Sequence, residues 1–227
     1  MMPQAQPSVN LYLRLAQEAV EYVKGKVNAG SANRTEDYQS RDKKKFQKLD
    51  KEYLNIQRQT QQFAIKDAKE PVKTPNGLQP PEIIDMHDEV CMEAFFAEFS
   101  GFGNCGEQAA VAYKYLSRLP IAGLVLINLM GGNHEFVVLG AGPVVIEGAI
   151  FRMDKAKAQF GPHAVICDPW VGGGACFLVA SEWDKAIAQM LKEAAPTADP
   201  AVVLVKCITR FTHQYRSTKV AAWTPPQ

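Results

Sequence analysis

The chain has 227 residues, 47% of them apolar and 22% charged, with a formal net charge of +1. That suits a soluble globular protein with one good-sized core and excludes a strongly basic or acidic partner-binding chain. No run of about 18 apolar residues occurs, so a membrane-spanning helix is not expected. Charge is uneven: residues 1–80 carry 14 basic and 9 acidic side chains, residues 81–227 carry 11 and 15. This mildly basic head lacks aromatic interleaving or a nucleic-acid-binding motif, so no nucleic-acid partner follows. The start, Met1-Met2-Pro3-Gln4-Ala5-Gln6-Pro7, has neither a basic nor an apolar signal region.

Val9 to Val27 reads as an amphipathic helix, with Leu11, Leu15, Ala19, Tyr22 and Val23 on its apolar face. Residues 28–41 read as a polar loop and 42–69 as a thinly apolar helix carrying Lys43-Lys44-Lys45, a solvated face. Pro71–Pro81, with four prolines and an Asn76-Gly77 turn signal, closes the helical head. The division is a helical segment, 1–80, and a second unit, 81–227. Ile83–Phe99 returns to helical character and places His87, between Asp85 and Asp88, on its surface. Gln108–Leu119 is a second helix.

Beyond it the apolar period shortens. Residues 122–130, 135–139, 143–151, 164–167 and 175–180 read as strands. Ser181-Glu182-Trp183-Asp184 opens a helix with Ser181 as N-cap, and 201–212 is the last core strand. Helices first, then a mostly antiparallel sheet, define an α+β fold.

Five cysteines at irregular spacing argue against a disulfide framework and fit a reducing compartment. Without a Cys-x-x-Cys pair, a structural zinc site is not expected; no metal or cofactor is implied. Among the five, Cys105 stands apart. It lies in Gly101-Phe102-Gly103-Asn104-Cys105-Gly106-Glu107, immediately before a helix, where the macrodipole favours a thiolate and N–H groups can stabilise an oxyanion. The alternative is a small buried core cysteine. His134 follows a glycine pair and opens an apolar strand, as a proton shuttle or a satisfied strand-edge histidine. Asp168 ends another apolar run before Pro169-Trp170; it is costly there unless paired, and a histidine N–H is a natural partner. Trp170 is placed to wall the cleft. Cys167, one residue earlier, points to the opposite face, into the core.

Asn104–Glu107 (Asn-Cys-Gly-Glu), Asn133–Val138 (Asn-His-Glu-Phe-Val-Val) and Asp168–Trp170 (Asp-Pro-Trp) occur in that order. In this the chain resembles the papain-like and transglutaminase-like superfamily over about residues 90–210. The resemblance implies a nucleophile helix packed on the sheet. It gives Cys105 as nucleophile, His134 as general base and acid, and Asp168 as its orienter. No glutamine lies close upstream of Cys105 to complete the oxyanion hole, as one does in papain-like proteases; Asn104 is the substitute. The resemblance to bacterial effector toxins implies a secreted effector, with no hydrophobic leader at the N-terminus, that acts in the host cytoplasm by deamidation or transglutamination of a glutamine on a host protein. Peptide cleavage on the same scaffold is the alternative, a non-catalytic interaction scaffold the second, and a cytoplasmic enzyme the alternative location.

Overall fold

The structure is a computed structural model that describes residues 9–28, 72–74, 77–79, 85–131, 134–197, 199 and 202–211, with isolated helical positions between 52 and 66. Helix α1 spans Val9–Lys26. Its buried stripe is Tyr12, Ala16, Ala19, Val20 and Val23, one position round from the expected one, and Leu11, Leu15 and Tyr22 are half-buried. The two alanines explain the rotation: small side chains let the helix axis approach its neighbours, and larger residues flank the seam. The readings for 28–41 and 42–69 fall almost entirely outside the described residues.

Strands β1 (Val72–Thr74) and β2 (Gly77–Gln79) pair antiparallel, with Thr74 opposite Gly77. Helix α2 (Met86–Ser100) starts at a capping box, in which Asp85 accepts from the Asp88 N–H at 2.9 Å. Helix α3 spans Cys105–Ser117. There follow β3 (Val125–Met130), β4 (His134–Leu139), β5 (Ile150–Arg152), α4 (Met153–Phe160), β6 (Val165–Asp168), β7 (Ala175–Leu178), α5 (Val179–Ala194) and β8 (Leu204–Arg210).

Six strands form one sheet in the order β5-β8-β3-β4-β6-β7, every neighbouring pair antiparallel. The fold is α+β. Alternation along each strand divides the interior into two cores. Leu126, Val137, Leu139, Val165 and Cys167 face α1, α2 and α3. Ile127, Phe136, Val138 and Ile166 face α4 and α5, where Phe160, Trp183 and Met190 cover them. Helix α1 lies against α3, β6 and β7, so it belongs to the first core. Among the described residues no helix is long and apolar enough to cross a membrane.

Three readings of the sequence change. The strand expected over 143–151 is a pair of turns followed by β5 alone. Val145 N–H bonds to Gly142 O at 3.1 Å and Ile146 N–H to Val144 O at 3.1 Å, which spends the backbone locally and leaves Val144 and Ile146 exposed. Helix α5 begins at Val179, ahead of Ser181, because the Glu182 carboxylate accepts the Leu178 N–H at 3.0 Å and satisfies the helix start. His87 is buried, with Nδ1 3.2 Å from the Tyr113 hydroxyl and Nε2 3.6 Å from Cys91 Sγ. Asp85 and Asp88, which made it look superficial, serve as the cap.

Candidate active site

The nucleophile turn is built by local constraints. Gly101 ends α2 at φ 73°, left-handed, its N–H on Ala97 O at 2.9 Å, a conformation that favours glycine. A Cβ on Gly103 would meet Glu107 Cβ at 2.9 Å, so the chain crosses the first turn of α3 this closely only as glycine. Asn104 is then the N-cap and Cys105 the first helical residue. The Asn104 N–H donates to Glu107 Oε2 at 2.9 Å, and the Gln108 amide donates to Gly103 O at 2.8 Å. The helical ladder starts with Gln108 N–H on Asn104 O at 2.9 Å, so the positive end of the helix lies at Cys105.

Arg58, from the N-terminal segment, donates from Nη2 and Nε to Glu107 Oε1 at 2.8 and 3.1 Å. Glu107 is buried, and each of its carboxylate oxygens is engaged, one by Arg58 and one by the cap. Partial burial disfavours the Arg58 charge. Glu107 first, then Glu93 and the Cys105 sulfur, more than restore it and raise its pKa.

His134 and Asp168 share the α4/α5 face of the sheet. The ladder pairs Val137 with Cys167 and Val138 with Ile166, which sets Asp168 one step beyond, with His134 at the diagonal position on the neighbouring strand. The imidazole Nε2–H donates to Asp168 Oδ2 at 2.7 Å, and both side chains are fully buried. The other carboxylate oxygen accepts the Trp170 and Val171 N–H groups at 3.1 and 3.0 Å. The Trp170 ring is 5.2 Å from the imidazole, centroid to centroid, and 4% exposed. Cys167 faces the other way, as the alternation requires.

Burial alone would lower the His134 pKa. The Asp168 carboxylate, by charge and hydrogen bond, and then the Cys105 sulfur push it up to about 10. With Nε2 committed to Asp168, Nδ1 is the buried nitrogen left to face the sulfur, and it makes no hydrogen bond of ordinary geometry. The Cys105 sulfur contributes to that rise by hydrogen bond and by charge. Burying an ion pair costs several kcal/mol per ion unless each partner is fully engaged, and such arrangements cluster at functional sites.

Two further carboxylates approach this turn. Glu93 Oε1 and Glu135 Oε2 each lie 3.6 Å from where a Gly106 Cβ would stand. Burial first, then Glu107 and Glu135, push the Glu93 pKa up to about 8, against the pull of Arg58. Glu135 is also raised by burial, although Asn128 donates to it at 3.1 Å. Sequence reading singled out none of Arg58, Glu93 and Glu135. Glu135 adjoins His134 and was the most accessible of them to inspection; Glu93 and Arg58 come from other segments and carry no local signal. Among the described residues no group of three or more His, Cys, Asp or Glu side chains is arranged to hold a metal ion. Comparison of the chain with protein-family models, curated proteins and solved structures found no match to any of them.

Proposed function

We propose that the protein is a thiol-dependent acyl transferase of papain-like or transglutaminase-like design, acting on the side-chain carboxamide of a protein glutamine. The observation that carries this reading is the buried His134–Asp168 hydrogen bond, which leaves Nδ1 towards Cys105. The imidazole takes the thiol proton, and a pKa near 10 lets it hold that proton at neutral pH. The sulfur attacks the carboxamide carbon, and the oxyanion forms at the positive end of α3. His134 returns the proton to departing ammonia, leaving a thioester. Water, activated by the same imidazole, releases glutamate; an amine in its place gives a crosslink.

Deamidation or transglutamination is favoured over peptide cleavage by access. Cys105 is 5% exposed, His134 is fully buried and Trp170 nearly so. An unbranched carboxamide side chain reaches a recessed sulfur more readily than a backbone amide, which brings chain on both sides. The bacterial effectors that the three sequence signatures resemble make a host protein the substrate class to test. Candidate targets are incubated with the wild type and with Cys105→Ala, and their intact masses compared. A gain of about 1 Da per site marks deamidation, a larger gain marks amine transfer, and fragments mark proteolysis. Unchanged masses, together with a Cys105 no faster to alkylate at pH 6 than Cys91, refute the enzyme reading.

A further inference from the structure

Cys167 and Cys176 occupy directly opposed positions on β6 and β7. Directly opposed residues in an antiparallel pair have Cα atoms about 4.5–5.5 Å apart, inside the span of about 4.4–6.8 Å that a disulfide bridges. Both side chains point to the α1 side, where the buried Cys167 thiol donates to Ala16 O at 3.5 Å. Cys167 also hydrogen-bonds Cys176; that contact, and then burial, hold its thiol well above the ordinary range. Cys176 is half-buried and so the accessible member. Between them runs the turn that carries Asp168 and Trp170 and ends in three consecutive glycines in left-handed conformations.

We propose that Cys167 and Cys176 form a reversible cross-strand disulfide that clamps the turn bearing Asp168 and Trp170. Hydrogen peroxide oxidises the Cys176 thiol to a sulfenic acid, with loss of one water. The Cys167 sulfur then attacks: the S–S bond forms, the S–O bond breaks, and the oxygen leaves as a second water with the Cys167 proton. Two electrons pass from the thiols to the peroxide, and a dithiol or phosphine reductant reverses the step. Cys167 gives up its weak S–H bond to Ala16, whose carbonyl remains a helix acceptor, and exchanges its hydrogen bond to Cys176 for a covalent one. The strands are already paired in register at this position.

The inference is independent of the acyl-transfer reading, and its test removes the candidate nucleophile. The full chain carrying Cys105→Ala is treated with hydrogen peroxide, alkylated and digested without reductant. Before alkylation the expected intact mass is lower by about 2 Da, and the digest yields a peptide pair joined through Cys167 and Cys176. Tm rises by roughly 5 °C through closure of the short loop, and a phosphine reverses every change. Adding Cys176→Ser, at the half-buried position, abolishes both the link and the mass change. Sulfinic acid on Cys176 with Cys167 unlinked, a bridge from either residue to Cys91 or Cys207, or two surviving thiols each overturn the proposal.

Discussion

Asp168→Asn is the most informative single change. The substituted amide keeps the size of the side chain and can still accept the Trp170 and Val171 N–H groups, now at 3.1 and 3.0 Å. It presents an N–H₂ where Oδ2 accepted from His134. The imidazole must turn Nε2 into an acceptor, so its one proton moves to Nδ1 and the base facing Cys105 is lost. Burial then dominates, and the His134 pKa falls from about 10 to below its ordinary 6.5. With no base left to take the thiol proton, alkylation of Cys105 at pH 6 should slow by about a hundredfold, the scale of a lost general base. Stability should drop by about 4 kcal/mol, as for a buried pair broken from one side, which is about 10 °C in Tm for a chain of this size. The sign fixes the window. A histidine whose native pKa is raised contributes fully below its unfolded value of about 6.5 and loses that contribution as pH climbs to about 10. The gap between wild type and variant is therefore widest near pH 6 and closes towards pH 10. Iodoacetamide kinetics by mass spectrometry, melting curves over that range and imidazole nitrogen shifts check the three parts. An unchanged alkylation rate at pH 6 refutes the coupling of the three side chains, whatever happens to Tm.

Glu93→Gln removes a carboxyl that folding holds protonated up to about pH 8. A raised acid binds more protons in the native state, so the wild type loses stability between about pH 4.5 and pH 8; melting curves of the variant should be flatter there and higher at pH 8.5. Arg58→Met leaves the buried Glu107 with the Asn104 N–H but without its cation. Because Arg58 is half-exposed the loss should be modest, about 1 kcal/mol or about 3 °C, with slower Cys105 alkylation and partial recovery in Arg58→Lys. Gly106→Ala should be tolerated, since its Cβ meets ordinary contacts and its φ is not left-handed; helix propensity predicts about 0.5–1 kcal/mol of stabilisation by denaturant titration. Gly103→Ala, aimed at the 2.9 Å approach to Glu107, should destabilise instead.

The order of elements was legible because β-branched runs and glycine turns are local signals, and β3, β4, β6 and β8 all carry them. The Cys105 turn was legible for the same reason, although its glycines divide in role. Gly101 and Gly103 are demanded by backbone and contact, and Gly106 by neither. Residues 143–149 misled because Val144, Val145 and Ile146 are apolar yet bond within their own turns, and of the three only Val145 is buried. Helix α4 was missed although Met153, Ala156 and Phe160 bury at helical spacing, since eight residues with three lysine or aspartate side chains give a weak pattern. The Arg58–Glu107 brace and the Glu93 approach were illegible in principle. Arg58 and Glu107 lie far apart in sequence, Glu93 approaches from the neighbouring helix, and neither contact has a period to read.

The two cores meet at the candidate site, and this explains why its parts come from such different places. Helix α3 packs in the α1 layer through Ala109, Ala110 and Ala112, all fully buried, whose small side chains let it lie close against the sheet. Its first residue does not share that layer: the Cys105 side chain belongs to the opposite core, with Phe136 and Trp170. The sulfur therefore rounds the end of the sheet where β4 begins and β6 ends, the end at which His134 and Asp168 stand. A strand interior could not supply this, because its backbone is paired on both sides and its neighbours fill each face. A helix start at a sheet end brings a positive dipole and a buried sulfur against an imidazole fixed from behind. The distance from sulfur to imidazole is thus set by helix-to-sheet packing in one core and by the Asp168 hydrogen bonds in the other. The Arg58–Glu107 pair and the Gln108–Gly103 bond hold the turn between them.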